Sequence, residues 1–351
     1  MRSILPDEQP ERATPSRKAE HLRINIEEDV SAKGIDAGFD SYCFRHRALP
    51  GIDLAEVDCT RSFLGRNLGA PLLISCMTGG TPEATRINRC LARVAARFDL
   101  AMGLGSGRAL LESPQSLESF DVRDDAPGIL LFANLGAVQL NKGYDAAACT
   151  RLVEMLRADA LVLHLNPLQE ALQPEGDTNF RGLIGRIAGI CANVTFPVVV
   201  KEVGWGIGPT DVRALFDAGV AAVDVAGAGG TSWSEVERHR IGEPWRARVA
   251  AAFADWGIPS AKALVEARSA APGRLLIASG GLRSGVDIAK AIALGADLAG
   301  IAGPFVRAAD QGPEAAEALA REYLEALRIA MFCAGARTLE ELRHSALTKK
   351  D

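Results

Sequence analysis

The sequence predicts a closed (β/α)8 TIM barrel, and three observations carry that expectation. Eight short runs of strand length, rich in aliphatic and β-branched residues, recur between residues 71 and 302. Stretches with helical periodicity separate most of them, and each run ends in glycines or polar groups. Strict alternation of strand and helix implies parallel pairing. Eight such units in roughly 250 residues match the usual size of a closed barrel. An open doubly wound sheet is the competing arrangement of the same elements.

In order, the runs are PLLIS (71–75), LAMGL (100–104), ILLFA (129–133), ALVLHL (160–165), PVVVKE (197–202), AAVDVA (221–226), LLIAS (275–279) and LAGIA (298–302). Helical periodicity fills CTRLVEMLRA (149–158), TDVRALFDAG (210–219) and SGVDIAKAIALGA (284–296), the last holding a glycine suited to a helix C-terminus. The connection after the sixth run, 227 to about 270, is long and holds Trp233, Trp245 and Trp256. It is expected to add a lid or an intersubunit helix to the regular barrel helix.

Composition narrows the function classes. A net charge of -5 gives no field that would hold a nucleic acid or an anionic membrane, so an anionic ligand must be met by a local basic cluster. The seven cysteines are scattered and never form a C-x-x-C pair, which argues against a disulfide framework or a zinc site and for reduced thiols in the cytoplasm. No apolar stretch approaches a membrane span, and the first 18 residues are too charged and Pro-rich for a signal peptide. Residues 1–16 are expected to form a flexible extension and 17–340 the barrel domain.

In a barrel the strand ends share one mouth. Those ends read CMTGG (76–80), GSGR (105–108), NLGA (134–137), HLNPLQE (164–170), KEVGWG (201–206), AGAGGTSW (226–233), SGGLR (279–283) and AGP (302–304). The phosphate site of such barrels usually follows strands seven and eight, and SGGLRSG with AGPF suits a phosphate held by two loops and a helix N-terminus. The small groups of Cys76, Met77, Thr78, Asn134 and Ala226 leave room for a flat aromatic ring. Taken singly, RKAEH reads as a solvated basic patch, His164 as a core histidine, and Lys201 as one half of a buried ion pair with Glu202 or another acid.

RKAEH, MTGG, GSGR, NLGA, HLNPLQE, KEVGWG, DVAGAGGTSW and SGGLRSGVDIAKAIALGADL stand in the order and approximate spacing of one family. From about Arg17 to Phe305, and more loosely to Arg337, the chain resembles the type 2 isopentenyl-diphosphate isomerases, FMN-dependent enzymes of isoprenoid synthesis. The resemblance implies an isomerase converting isopentenyl diphosphate to dimethylallyl diphosphate. It implies reduced FMN as acid/base cofactor, NADPH as reductant, Mg2+ on the diphosphate, and a homotetramer or larger assembly. Protonating an unactivated alkene is beyond a carboxylic acid or imidazole of near-neutral pKa, so the resemblance assigns that step to the cofactor.

Carried over by position, the resemblance places Arg17, Lys18 and His21 on the substrate diphosphate, with Glu170 as the Mg2+ ligand. His164, Asn166 and Gln169 would contact the substrate as catalytic residues. FMN would be bound by Met77, Thr78, Gly79, Ser106, Asn134 and Lys201, with Lys201 at the N1 and O2 edge of the flavin. The ribityl phosphate would fall to Thr231, Gly280, Gly281, Arg283, Ala302 and Gly303. Ala226 stands where some relatives have Ser, and Arg238 or Arg240 is a further candidate for the diphosphate. Three other readings compete. A 2-hydroxy-acid oxidase on this barrel needs a His base and an Arg soon after the sixth strand, and AGAGGTSW has neither. An inosinate-type dehydrogenase needs a nucleophilic Cys in a mouth loop, for which only Cys76 is available. A non-catalytic FMN-binding barrel would keep the phosphate loops and lose HLNPLQE, which is intact.

Overall fold

The computed structural model describes residues 14–345 and 347–350, so residues 1–13 of the expected extension lie outside the described residues. Each of the eight runs forms a strand: β1 (Leu72–Ile74), β2 (Ala101–Gly103), β3 (Leu131–Gly136), β4 (Ala160–Leu165), β5 (Val198–Glu202), β6 (Ala222–Asp224), β7 (Leu275–Ser279) and β8 (Leu298–Ile301). They pair in chain order, and β8 closes on β1 through the parallel register Gly300 to Leu73. The third strand differs most from its expected span. Ile129 and Leu130 precede it, while the ladder to β4 runs on through polar Asn134 to Gly136 opposite His164. Pairing with a neighbour, not apolarity, sets its end.

The three helices read from periodicity appear as Ala146–Met155, Pro209–Asp217 and Gly285–Ala293. The first starts under an Asp145 cap that accepts from the Ala148 N–H, and the third under a Ser284 cap that accepts from the Asp287 N–H. The long sixth connection holds the helices Trp233–Arg240, Pro244–Ala251 and Ser260–Ala270. An N-terminal helix, Thr14–Glu27, starts three residues before Arg17 and packs on Trp233–Arg240.

Alternate strand residues separate two apolar clusters. Leu72 and Ile74 face the helices, whereas Leu73, Phe132, Val162, Val199, Ile277 and Leu298 fill the barrel interior. Phe63 and Leu68 join that interior from a hairpin, Arg61–Phe63 with Arg66–Leu68. Its arginines pair with acids that immediately precede barrel strands: Arg61 with Asp297 and Arg66 with Asp159. The hairpin therefore plugs the N-terminal end of the barrel and leaves the other end open. A second antiparallel pair, Tyr42–Phe44 with Leu347–Lys349, lies outside the barrel.

Candidate active site

At the open end lies a cavity of about 760 Å³, lined from all the strand-end loops and by the N-terminal helix. Each residue assigned above lines it: Arg17, Lys18, His21, Met77, Thr78, Gly79, Ser106, Asn134, His164, Asn166, Gln169, Glu170, Lys201, Thr231, Gly280, Gly281, Arg283, Ala302 and Gly303.

One wall is made of backbone and small groups. Gly79 is pressed on Phe120, where a Cβ would lie 2.0 Å from the ring. At Gly280 a Cβ would lie 2.0 Å from the Gly227 carbonyl oxygen, so the sixth and seventh loops meet backbone to backbone. Gly280 also has φ +98°, a conformation that favours glycine. Beside them the helix Gly303–Gln311 begins without a side-chain cap, and Thr231 and Arg307 flank its first residue. An uncapped helix N-terminus between two glycine loops and an arginine fits a phosphate group. Deeper in, the buried Ser75 Oγ has no hydrogen-bond partner among the described residues, which suits a polar ring edge.

The floor is a row across three neighbouring strands, because His164 is in register with Lys201 and Lys201 with Asp224. His164 Nδ1 is 2.7 Å from Asn134 Oδ1; the amide oxygen accepts, so Nδ1 carries the proton. Burial, with the charges of Lys201 and Lys18, pushes the imidazole down to about 4, and it is neutral near pH 7. Lys201 Nζ donates to the Glu202 carbonyl at 2.6 Å and lies 3.7 Å from Asp224 Oδ2. The expected alternative partner, the Glu202 carboxylate, points elsewhere: its Oε2 accepts from the backbone N–H groups of Val203, Gly204 and Trp205. Burial lifts that carboxyl to about 7, against the pull of those bonds.

The opposite wall carries charge and amides. In HLNPLQE, Pro167 opens the short helix Pro167–Leu172 after Asn166. That suits proline in a first helical turn and still presents Gln169 and Glu170 to the cavity. Asn166 Nδ2 donates to Gln169 Oε1 at 3.1 Å and to Glu170 Oε1 at 2.9 Å. Glu170 Oε2 accepts from the Asp177 N–H at 2.6 Å, and burial raises its pKa against these bonds. Among the described residues no group of three or more His, Cys, Asp or Glu side chains is placed to hold a metal. Glu170 brings a carboxylate to the cavity, a donor of the kind that suits a hard cation.

The N-terminal helix closes this wall. Lys18 Nζ donates to the Ser106 carbonyl at 2.7 Å and sits 5.0 Å above the Phe120 ring; burial, then Arg17, lowers it to about 7. His21 Nε2 is 3.0 Å from Glu237 Oε1, which also accepts from Gln169 at 3.2 Å and Gln173 at 2.8 Å. Burial would raise the Glu237 carboxyl, but His21 and Arg240 hold it down at about 2. RKAEH is thus a half-buried part of the wall, not a solvated patch.

Some expectations for this wall fail. Neither Arg238 nor Arg240 lines the cavity; Arg240 is taken by Glu237 at 2.7 Å and Glu175 at 2.7 Å, and Arg238 by Glu235 at 2.9 Å. Arg108 and Arg307 line it instead, and neither was singled out from the sequence. Arg108 was in plain view as the last residue of GSGR. Arg307 follows Gly303 by one helical turn. The hubs Glu237 and Asp224 were also missed; an aspartate inside the apolar run AAVDVA was the available signal for the second.

A family model described as FMN-dependent dehydrogenase matches residues 168–349. An isopentenyl-diphosphate delta-isomerase from Synechococcus sp. is 54% identical over 323 residues, 92% of this chain and 93% of that protein. Proteins of the same description from Nostoc sp. and Rickettsia bellii are 50% and 46% identical, over 95% and 94% of this chain and 95% and 96% of theirs. Among solved structures, a mandelate oxidase superposes with TM-score 0.66 at 18% identity, covering 97% of this chain and 100% of that one. A Pediococcus acidilactici protein described as a lactate oxidase does so with TM-score 0.70 at 17% identity, covering 98% and 97%. These last two speak to the barrel alone, whereas the close relatives place the whole chain: it belongs to the isopentenyl-diphosphate delta-isomerase family.

Proposed function

We propose that this chain interconverts isopentenyl and dimethylallyl diphosphate with reduced FMN and Mg2+ bound in the mouth cavity. One observation carries the reading: a single cavity joins a glycine-lined phosphate cradle and small-residue wall to a facing wall where Arg17, Lys18 and Arg108 stand beside amides and Glu170. FMN, when bound, supplies the proton donor and acceptor for the 1,3-shift, with NADPH as the reductant that prepares it.

The protein's own groups bind and orient. Gly280, Gly281, Thr231, Arg283, Ala302 and Gly303 would hold the ribityl phosphate, and Met77, Thr78, Gly79, Ser106 and Asn134 the ring and its substituents. Lys201 brings a cation to the floor, where negative charge on a reduced ring is favoured. Arg17, Lys18 and His21, joined by Arg108, would neutralise the diphosphate, and Glu170 would hold a Mg2+ that offsets its charge. Lys18, already lowered to about 7, gains its full charge when a polyanion arrives. Gln169, tied to Glu237 and Asn166, would hold the hydrocarbon end, with neutral His164 offering its Nε2. A wall that excludes water protects the carbocation-like charge of an alkene protonation. A soluble, cytoplasmic homo-oligomer is part of the same reading.

Anaerobic, photoreduced protein given isopentenyl diphosphate and Mg2+ in deuterated water should make many equivalents of deuterated allylic product per flavin. One product per flavin with stoichiometric flavin oxidation would mean a redox enzyme and end the proposal. Glu170→Gln should retain FMN yet lose turnover by two orders of magnitude or more, with no recovery at high Mg2+, since a neutral amide is a poor ligand for a hard cation.

A further inference from the structure

The floor of the cavity holds one acid that touches no cavity surface. Asp224 is 1% exposed, at the end of β6, directly beside Lys201 in the strand register. Its two oxygens are treated differently. Oδ1 accepts from Ser279 Oγ at 2.7 Å and from the Ala226 N–H at 3.1 Å. Oδ2 is buried, has no hydrogen-bond partner among the described residues, and lies 3.7 Å from Lys201 Nζ. A buried carboxylate oxygen without a hydrogen bond is costly unless an opposite charge faces it, and here the ammonium of Lys201 does.

Lys201 is held from a second side. Its Nζ donates to the Glu202 carbonyl, and that peptide is fixed because the Glu202 carboxylate gathers the next three backbone N–H groups. The groups around Lys201 are Cys76 on the first loop, neutral His164 on β4, Glu202 on β5 and Asp224 on β6. Glu202 spends its carboxylate on the backbone, which leaves Asp224 as the acid facing the ammonium. Burial raises the Asp224 carboxyl and Lys201, Ser279 and the Ala226 N–H pull against it, so the row sets a carboxyl group beside the ammonium, and of the two only the lysine reaches the cavity.

The geometry points to Asp224 as a positioning residue that works through Lys201: it holds the ammonium at the floor and partly neutralises it, and so sets how strongly the site favours reduced over oxidised flavin. The inference rests on the FMN reading above. An unshielded lysine at the ring's edge would hold the reduced, anionic flavin more tightly than the oxidised one. A carboxylate 3.7 Å behind it tempers that preference, and in a buried site such a pair acts with little solvent screening.

The structure offers a clean variant. In Asp224→Asn the amide oxygen can keep both Oδ1 bonds, to Ser279 and Ala226, while the N–H2 takes the place of Oδ2, so the charge beside Lys201 is removed and a donor faces the ammonium in its stead. The measurement is the reduction potential of FMN in the reconstituted protein, with the melting temperature taken alongside. Asp224→Asn should raise the ratio of reduced to oxidised flavin affinity about tenfold, which for a two-electron couple is a rise of ~30 mV, at an unchanged melting temperature. Lys201→Met should lower the potential, and in that background Asp224→Asn should add little, because the effect passes through the lysine. Asp224→Glu, which keeps the charge, should stay near the wild-type potential; if the Asn variant fails to fold, Asp224→Ser, which also removes the charge, should raise the potential and carries the test.

An unchanged potential in Asp224→Asn would overturn the inference, as would a full shift that persists without Lys201 or a Glu variant that shifts as far as the Asn variant is expected to. Those results would leave the isomerase reading intact. A wild-type protein that bound no FMN would remove both, and that is seen before any variant is made.

Discussion

The charge of His164 is set by its surroundings and not by its type. Burial first, and the neighbouring ammonium groups of Lys201 and Lys18 second, lower it from 6.5 to about 4. An unfolded chain binds a proton there near pH 6.5, while the folded one resists until about 4, so stability falls as pH drops through that window. His164→Gln should flatten the acid side of the melting-temperature profile between pH 6.5 and 4 and leave the profile above pH 7 parallel to wild type. Equal acid slopes in the two proteins, by calorimetry, would show that the imidazole is not held neutral. The sequence placed His164 at the right strand end because the motif HLNPLQE is local. It could not give the charge, which depends on Lys201 coming into register from the next strand. Glu237 was illegible for a related reason. Its helix belongs to a long connection, and the face it buries follows from packing on Thr14–Glu27, Pro167–Leu172 and Pro244–Ala251, not from its own periodicity.

Among the elements, the hairpin Arg61–Phe63 with Arg66–Leu68 was invisible in advance, although it seals the barrel. Three-residue strands reading RSF and RNL have no period to detect. The turn between them, Leu64 at φ +46° and Gly65 at φ +79°, has the positive dihedrals of a tight hairpin but lacks the usual Asn before its glycine. What fixes the hairpin is tertiary: Phe63, 1% exposed, enters the interior with Leu68, and two arginines pair with Asp297 and Asp159. Phe63→Ala should therefore cost roughly 3–5 kcal/mol, the range for removing a large buried aromatic. Denaturant titration would measure it. Because the plug lies at the far end of the barrel from the cavity, FMN affinity of the folded variant should match wild type.

At the scale of the whole molecule the barrel and its N-terminal helix are separable. The eight-strand ring closes without residues before Leu72, which is why alternation along the sequence was enough to predict it. The helix Thr14–Glu27 contributes Arg17, Lys18 and His21 to the cavity wall and is docked through Ile24 on the helix Trp233–Arg240. The chain then continues into a clamp, where Ala32 donates to the Gly230 carbonyl and Ser232 donates to the Val30 carbonyl. A truncation beginning at Asp29 removes the helix and keeps the clamp. The ring, the glycine cradle and Lys201 all remain, so the truncated protein should bind FMN with wild-type affinity and melt as one transition. The diphosphate side loses two cations and a histidine, so KM for isopentenyl diphosphate should rise by about a hundredfold or more, since charge-assisted contacts to a phosphate are worth about 1.5–3 kcal/mol each. Flavin fluorescence titration and initial rates would separate the two effects. An equal loss of FMN and substrate affinity would mean that the helix supports the whole mouth and not only its anionic side.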